Sequence, residues 1–377
     1  MQPGYPAARI VAPTVAEQLA AHLNAARQRG SRDFAPQPDT VVIEALIDTA
    51  FWASLQREEG HAPRISLAFV PPDVSGHAMV FARPLPLWPR SLAKLAPAVE
   101  RPGIHLGVWP EDGALRVWGT ARSVPELAFV LEVVEPGLVV VKYRRGDELD
   151  KYGTVAVLQG DHIQVVDENA ASLPDCPDLL SSLLGFDAPV PAVGPTGVLI
   201  QLAVSMRAHG RGGSLLLVPA GSDDWQASAS QPIPYGVTPF ADVADLLRAD
   251  EAERSRPAWR EALRRAVDAV AGLTAVDGAT VLNERHELLA FGVKLARRRG
   301  AERVEQIALT APVIGNVAEV VDPSRLGGTR HLSAAQFIHE QRDALAMVAS
   351  QDGRFTVFAW SPCENMVHAH RVETLLM

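Results

Sequence analysis

The sequence predicts a mixed α/β protein with two folded regions in succession. Short β-rich runs separated by turn signals fill residues 65–167, which is typical of a mostly antiparallel sheet. The C-terminal half instead alternates amphipathic helices with buried strands. Between them the segment DAPVPAVGPTG holds three prolines and two glycines. We therefore predict an α+β domain over 1–186, a linker over 187–197 and a mixed sheet flanked by helices over 198–377; a loop within one domain is the alternative for 187–197.

The composition of the chain argues against several classes of protein. The chain has 377 residues, 47% hydrophobic and 21% charged, with a net charge of −9. An acidic balance argues against non-specific binding to nucleic acid or to acidic membrane surfaces. The two cysteines, Cys176 and Cys363, lie far apart and show no metal-ligand spacing. No apolar run reaches the ~18 residues of a membrane span, and no secretory signal is visible, so we expect a cytoplasmic protein.

The N-terminal region begins with two helical patterns. Val15, Leu19 and Leu23 share one helix face, and a second apolar stripe runs through Val41–Leu55. We predict strands in the runs ISLAFV, HAMVFA, GIHLGVW, ALRVWGT, LAFVLEVV, GLVVVKY, TVAVLQG and HIQVVD. A third helix is predicted over Asp175–Phe186.

The C-terminal region has a different pattern. Val198–His209 is predicted to be a helix and Gly213–Pro219 a buried strand, with loop over 220–239. An apolar stripe from Trp259 to Val270 predicts a long helix, which Gly272 ends. The runs LTAVDGATVL and LLAFGVKL, joined by NERHE, are predicted to form a hairpin.

The stretch GGTRHLSAAQ, starting at Gly327, indicates an anion site. Ser333 and Gln336 have the spacing of a capping box, which predicts a helix from about Ala334. A helix N-terminus preceded by glycines binds anions readily, and the Arg330 guanidinium suits phosphate. Taken alone, a Thr-Arg-His sequence is more commonly an ordinary surface loop. The next predicted feature is a hairpin, Leu345–Ser350 and Arg354–Trp360, turning at Asp-Gly.

A second element, Asp277-Gly278-Ala279, sits between a predicted helix and a strand. Alone it is a common turn. Asp-Gly-Ala leading into a hairpin, followed about fifty residues later by Gly-Thr-Arg-His, resembles the diadenylate cyclase (DAC) domain, as in the catalytic domain of DNA-integrity scanning proteins. The earlier HGRGGSLLLVP is similar to that family's first glycine-then-strand segment. The resemblance covers about 190–365.

The resemblance implies a nucleotidyltransferase that condenses two ATP molecules into cyclic di-AMP, with a divalent metal, Mg²⁺ or Mn²⁺. Asp277 would be catalytic, placing or deprotonating a 3′-hydroxyl or holding the metal, for which Asp352 is a second candidate ligand. The implied nucleotide-binding residues are Gly278, Ala279, Gly328, Thr329, Arg330, His331 and Ser350. Two ATP sites must face each other, so we expect self-association into a homodimer or a larger closed assembly. No nucleic-acid or membrane partner is expected.

Three positions depart from the common family pattern. Leu332 stands where the family commonly has a second arginine, so one phosphate-binding cation is missing. Gln351 replaces an acidic residue that could bind metal. Val276 stands where some members have histidine.

These departures leave three hypotheses open. The first is an active cyclase controlled by an N-terminal sensor domain whose ligand is unknown. The second is a catalytically degenerate domain that binds ATP or a dinucleotide as a signalling sensor. The third is an interaction protein with no nucleotide site. Trp52, Trp88, Trp109 and Trp118 lie in the N-terminal region, as core packing or as the wall of a ligand pocket.

Overall fold

The computed structural model describes residues 4–30, 33–58, 60–75, 78–145, 152–167, 195–254 and 256–377. The chain divides into two compact units, Met1–Val166 together with Met377, and Asp167–Leu376. The predicted helix over Asp175–Phe186 lies outside the described residues, as does most of the predicted linker.

The N-terminal unit is built on an eight-stranded sheet with helices. Its helices are α1 (Pro6–Gln28), α2 (Thr40–Ser54) and α3 (Pro89–Leu95). Its strands are β1 (Ile65–Phe69), β2 (Met79–Pro86), β3 (His105–Glu111), β4 (Ala114–Ala121), β5 (Phe129–Glu135), β6 (Leu138–Arg144), β7 (Tyr152–Gln159) and β8 (His162–Val165). Each of the eight predicted β-rich runs overlaps a strand.

The order of this sheet is β2-β4-β3-β1-β5-β6-β7-β8. Its strand pairs are antiparallel except for β1 with β3, which confirms the mostly antiparallel prediction. The central strand β1 pairs with β3 and β5 and is buried along its whole length. The α2 helix starts where the Asp39 side chain accepts a hydrogen bond from the Val42 amide at 2.8 Å.

A row of three polar side chains lies within the sheet of this unit. The Ser66 hydroxyl lies 2.7 Å from Nδ1 of His105, and Nε2 of the same imidazole lies 2.8 Å from the Tyr152 hydroxyl. Trp118, one of the four tryptophans noted above, is buried and donates its indole N–H to the Val70 carbonyl at 2.7 Å. The burial of Trp118 agrees with core packing, whereas Trp88 is largely exposed.

The C-terminal unit carries a nine-stranded mixed sheet. Its helices are α4 (Pro195–Ala208), α5 (Asp242–Arg248), α6 (Glu251–Arg254), α7 (Pro257–Leu273) and α8 (Thr329–Glu340). Its strands are β9 (Gly213–Val218), β10 (Tyr235–Phe240), β11 (Ala279–Asn283), β12 (Leu288–Val293), β13 (Ile307–Thr310), β14 (Glu319–Val321), β15 (Leu345–Ala349), β16 (Phe355–Ser361) and β17 (Met366–Arg371).

The order of this second sheet is β10-β12-β11-β9-β15-β16-β17-β13-β14. The pairs β9 with β11 and β13 with β17 are parallel and the other neighbours are antiparallel, so the mixed α/β class is confirmed. Both predicted hairpins form, as β11–β12 and as β15–β16. The predicted loop over 220–239 is wrong at its end, because Tyr235 starts a strand that pairs with β12.

The α8 helix begins five residues earlier than the sequence pattern predicts. Gly328 is its N-cap, so Thr329, Arg330 and His331 form its first turn. The expected capping box does not form, because Ser333 lies inside the helix and not at its N-cap. The Gln336 amide instead accepts from the Val304 amide at 2.9 Å and donates to Glu340 at 2.7 Å. Among the helices in the described part of the chain, none is both long and apolar enough to cross a bilayer.

Candidate nucleotide site

Three loops of the C-terminal unit meet at one edge of its sheet. Strands β9 and β11 are parallel and both begin at this edge, where Ala279 pairs with Ser214. Strand β15 runs in the opposite direction beside β9 and ends there, with Ala349 opposite Gly213. The residues before β9, those before β11 and those after β15 are therefore neighbours. Asp277 and Gly278 end the second of these loops, Ala279 begins β11, and Ser350 begins the third loop.

Asp277 projects from this edge into solvent. Its side chain is 88% exposed and forms an ion pair with Lys294, the first residue after β12. The hydrogen bond from Lys294 lowers the pKa of Asp277, the charge of the same ammonium lowers it further, and Arg330 adds a smaller lowering. Asp277 is therefore a carboxylate at neutral pH. Arg330 lies at the same edge of the sheet, because its guanidinium neighbours Gly212, which directly precedes β9.

Gly278 is required by the backbone at this point. Its φ is +122°, in the region that favours glycine, and a Cβ placed on it would lie 2.3 Å from the carbonyl carbon of Gly292. Any side chain at residue 278 would therefore push β12 away from the start of β11. The glycine is therefore explained by the close packing of the β11 and β12 backbones beside Asp277.

Arg330, in the first turn of α8, lies beside these loops. A Cβ on Gly212, whose φ is +69°, would lie 2.9 Å from Nη1 of Arg330 and 3.3 Å from Cγ of Gln351. Gln351 in turn donates from its amide nitrogen to the carbonyl oxygen of Arg211 at 3.3 Å. The loop before β9 thus contacts both the first turn of α8, through the Arg330 guanidinium, and the loop after β15, through Gln351.

His331 points into the core and not into the solvent. It is 3% exposed and its ring lies edge-on to Phe358, with 6.1 Å between ring centroids. Burial is the largest cause of its lowered pKa; Asp352 opposes this shift, and nearby arginines, Arg371 foremost, add to the lowering. Its Nε2 has no hydrogen-bond partner among the described residues. At neutral pH the imidazole is therefore uncharged.

Ser350 and Asp352 belong to the turn that joins β15 to β16. The Ser350 amide donates to the Arg354 carbonyl at 2.9 Å, and the Asp352 carboxylate accepts from the Arg354 amide at 3.3 Å. Burial raises the pKa of Asp352, but hydrogen bonds from Ser350 and from the Arg354 backbone outweigh it, and the net shift is downward. The Asp352 carboxylate is thus used within its own turn.

A single exposed carboxylate binds a divalent metal weakly, and tight binding needs further ligands such as substrate phosphates. Within the described residues, no group of three or more His, Cys, Asp or Glu side chains is placed to hold a metal ion. Mg²⁺ commonly binds one or two carboxylates together with substrate phosphates. The exposed Asp277 carboxylate fits that role, whereas Asp352 is already hydrogen-bonded.

The sequence reasoning missed Lys294 and Gly212. Lys294 follows β12 in the run FGVKL, and nothing local distinguishes it from any other charged residue at the end of a strand. It reaches Asp277 because Val293 pairs with Ala279 across the hairpin. Gly212 lies in the HGRGG segment that had been noted for its glycines, but its contact with Arg330 depends on the packing of α8.

Part of the N-terminal unit matches a known protein family. Residues 32–122 match the family described as "Probable sensor domain DACNV". The matched range contains α2, β1, β2, α3, β3 and β4. None of the curated proteins compared with the chain matches it. The sensor-type N-terminal region predicted from the sequence is supported, and the match includes no residue of the C-terminal unit.

Proposed function

We propose that the C-terminal unit is a nucleotidyltransferase of the DAC type, which condenses two ATP molecules into cyclic di-AMP under the control of the N-terminal sensor region. The observation that carries the proposal is the placement of Asp277-Gly278 and Arg330 at one edge of the sheet, beside the starts of the paired strands β11 and β9. The sensor-domain match in the same chain supports the regulatory half of the proposal.

The proposed reaction needs both a cationic side chain and a carboxylate. The 3′-hydroxyl oxygen of each ATP attacks the α-phosphorus of the other, the bond to pyrophosphate breaks, and the hydroxyl proton leaves. Two such steps give one cyclic dinucleotide and two pyrophosphates. Phosphoryl transfer depends mainly on positioning and on neutralising charge, with little covalent help from the protein. A guanidinium and a carboxylate close together supply these two needs.

Each side chain has a role that its surroundings support. Arg330 would bind phosphate oxygens, together with the free N–H groups of the first turn of α8 and the Thr329 hydroxyl. Asp277, ionised at neutral pH, would accept a hydrogen bond from the attacking 3′-hydroxyl. Gly278, which packs against Gly292, would hold the Asp277 loop in place beside the start of β11.

A divalent metal, Mg²⁺ or Mn²⁺, fits the same arrangement. Asp277 would hold it jointly with the phosphates, and the ion would neutralise the charge that builds up on them. Lys294, which now neutralises Asp277, would then be released toward a phosphate oxygen. Since each site contributes one ATP, the active form would be a self-associated pair or larger closed assembly.

The test is an assay of the full chain with ATP and either Mn²⁺ or Mg²⁺, with products separated by chromatography and identified by mass. We expect cyclic di-AMP and pyrophosphate in a ratio of one to two. Asp277→Asn and Arg330→Ala should each abolish most of the product. Arg325→Ala is the matched control, because Arg325 is an exposed arginine only five residues before Arg330.

A second candidate function is nucleotide binding without turnover. It is favoured by the Gln351 side chain, which is uncharged and bonded to the Arg211 carbonyl, and by Leu332 in place of a second cation. Intact ATP after incubation with either metal, together with measurable ATP binding that Arg330→Ala weakens, would select this function over the first.

A further inference from the structure

An exposed aromatic pair lies beside the candidate nucleotide site. Tyr235 on β10 is 50% exposed, although large aromatic side chains are usually well buried. Its register partner on β12 is Phe291, and the two rings stack with 4.8 Å between centroids and 5° between planes. Phe291 therefore fixes the orientation of a flat ring that is half open to solvent.

A short chain of contacts joins this ring to Asp277. A Cβ placed on Gly292 would lie 2.8 Å from the Tyr235 ring and 3.6 Å from the side chain of Val276. Gly292 is also the residue against which Gly278 packs. The Tyr235 ring thus reaches the backbone of the Asp-Gly motif through a single glycine, and a side chain at residue 292 would separate them.

We propose that Tyr235, held by Phe291, is the surface on which the base of the bound nucleotide stacks. The proposal rests on the proposed function, because it takes the phosphates to lie at Arg330 and Asp277. Bases stack on exposed aromatic rings whatever their hydrogen-bonding pattern, and a larger ring system gains more from stacking. The site would therefore take purine nucleotides in preference to pyrimidine nucleotides and to inorganic polyphosphate.

The experiment compares three probes on the full chain by calorimetry with Mg²⁺ present: ATP, CTP and inorganic tripolyphosphate. The variants are Tyr235→Ala, which removes the ring, and Tyr235→Phe, which keeps it. Phe240→Ala is the matched control, because Phe240 is another exposed aromatic on β10 but pairs with Leu288 at the far end of the strand. Circular dichroism establishes that each variant is folded.

Base stacking predicts that Tyr235→Ala weakens ATP binding by about five- to 150-fold and leaves tripolyphosphate binding unchanged. Tyr235→Phe and Phe240→Ala should bind ATP as wild type does, and wild type should bind ATP more tightly than CTP. Equal losses for ATP and tripolyphosphate, or no loss at all, would overturn the base-stacking role while leaving the phosphate site intact. Wild type that binds neither ATP nor tripolyphosphate would overturn the proposed function itself, and this inference with it.

Discussion

Lys294 and Asp277 form an ion pair at the mouth of the candidate nucleotide site. The pair links the end of β12 to the loop before β11, and both side chains are at least half exposed. A bound phosphate would attract the Lys294 ammonium, and a bound metal ion would attract the Asp277 carboxylate. Either ligand would therefore compete with the ion pair. We therefore expect ligand binding to weaken or break the Lys294–Asp277 ion pair.

Removing the ammonium should strengthen metal binding by the carboxylate. We expect Lys294→Met to bind Mn²⁺ about five-fold more tightly than wild type in the absence of nucleotide, since one neighbouring positive charge is lost. Water-proton relaxation measures the bound Mn²⁺. Lys294→Arg, which keeps the charge, should behave as wild type does, and Asp277→Asn should lose the site. Equal Mn²⁺ affinity in Lys294→Met and wild type would show that Asp277 is not the metal ligand.

A methyl group at residue 278 should disturb the site through the backbone. Gly278→Ala combines a positive φ with a clash against Gly292, so we expect it to lower the free energy of unfolding by about 2 kcal/mol or more. Urea unfolding gives this value, and ATP binding should fall in parallel. Gly236→Ala is the control, because a Cβ on Gly236 meets no atom within 4 Å. A Gly278→Ala protein as stable as wild type would argue against the packing described for these two glycines.

Because His331 is buried, substitutions at this residue can distinguish a role in core packing from a role in phosphate binding. Because the imidazole is 3% exposed and uncharged at neutral pH, we expect His331→Phe to keep ATP affinity within about three-fold of wild type, well inside one tenfold step. His331→Ala should instead destabilise the fold by leaving a cavity beside Phe358. If His331→Phe loses ATP binding as completely as Arg330→Ala does, the imidazole contacts the ligand as the family resemblance implies.

His370 should make the protein sensitive to acid. Burial, followed by the charge of His368, lowers the pKa of His370 to about 4, and its Nδ1 lies 2.8 Å from the Thr310 hydroxyl. The unfolded chain, with a pKa near 6.5, binds this proton first as pH falls. Its contribution to stability is therefore intact above about pH 6.5 and lost progressively toward pH 4.

The size of this effect follows from the two pKa values. Between pH 7.5 and pH 5 the free energy of unfolding should fall by about 2 kcal/mol through His370 alone. Urea unfolding at both pH values measures the fall in wild type and in His370→Asn, whose side chain can still bond to Thr310. The variant should show a fall smaller by that amount. The same pH dependence in both proteins would mean that His370 is protonated in the folded state.

The sequence alone determined those strands and turns that depend only on a few neighbouring residues. The β-rich runs between 65 and 167 correspond to strands, and Asp352-Gly353 turns between β15 and β16, because turn geometry and β-propensity act within a few residues. The same is true of Asp-Gly-Ala ahead of β11. The motifs that carry the DAC resemblance were also visible from residues alone.

Tertiary structure decided where those residues act. The α8 helix starts at Thr329, with Gly328 as its N-cap, and Gln336 bonds to Val304 and Glu340, partners that a local capping pattern does not include. Lys294 meets Asp277, and Tyr235 meets Gly292, only because β12 pairs with strands on both of its sides. Such contacts join residues far apart in the chain, and their energies depend on strand register and packing, which no window of neighbouring residues specifies.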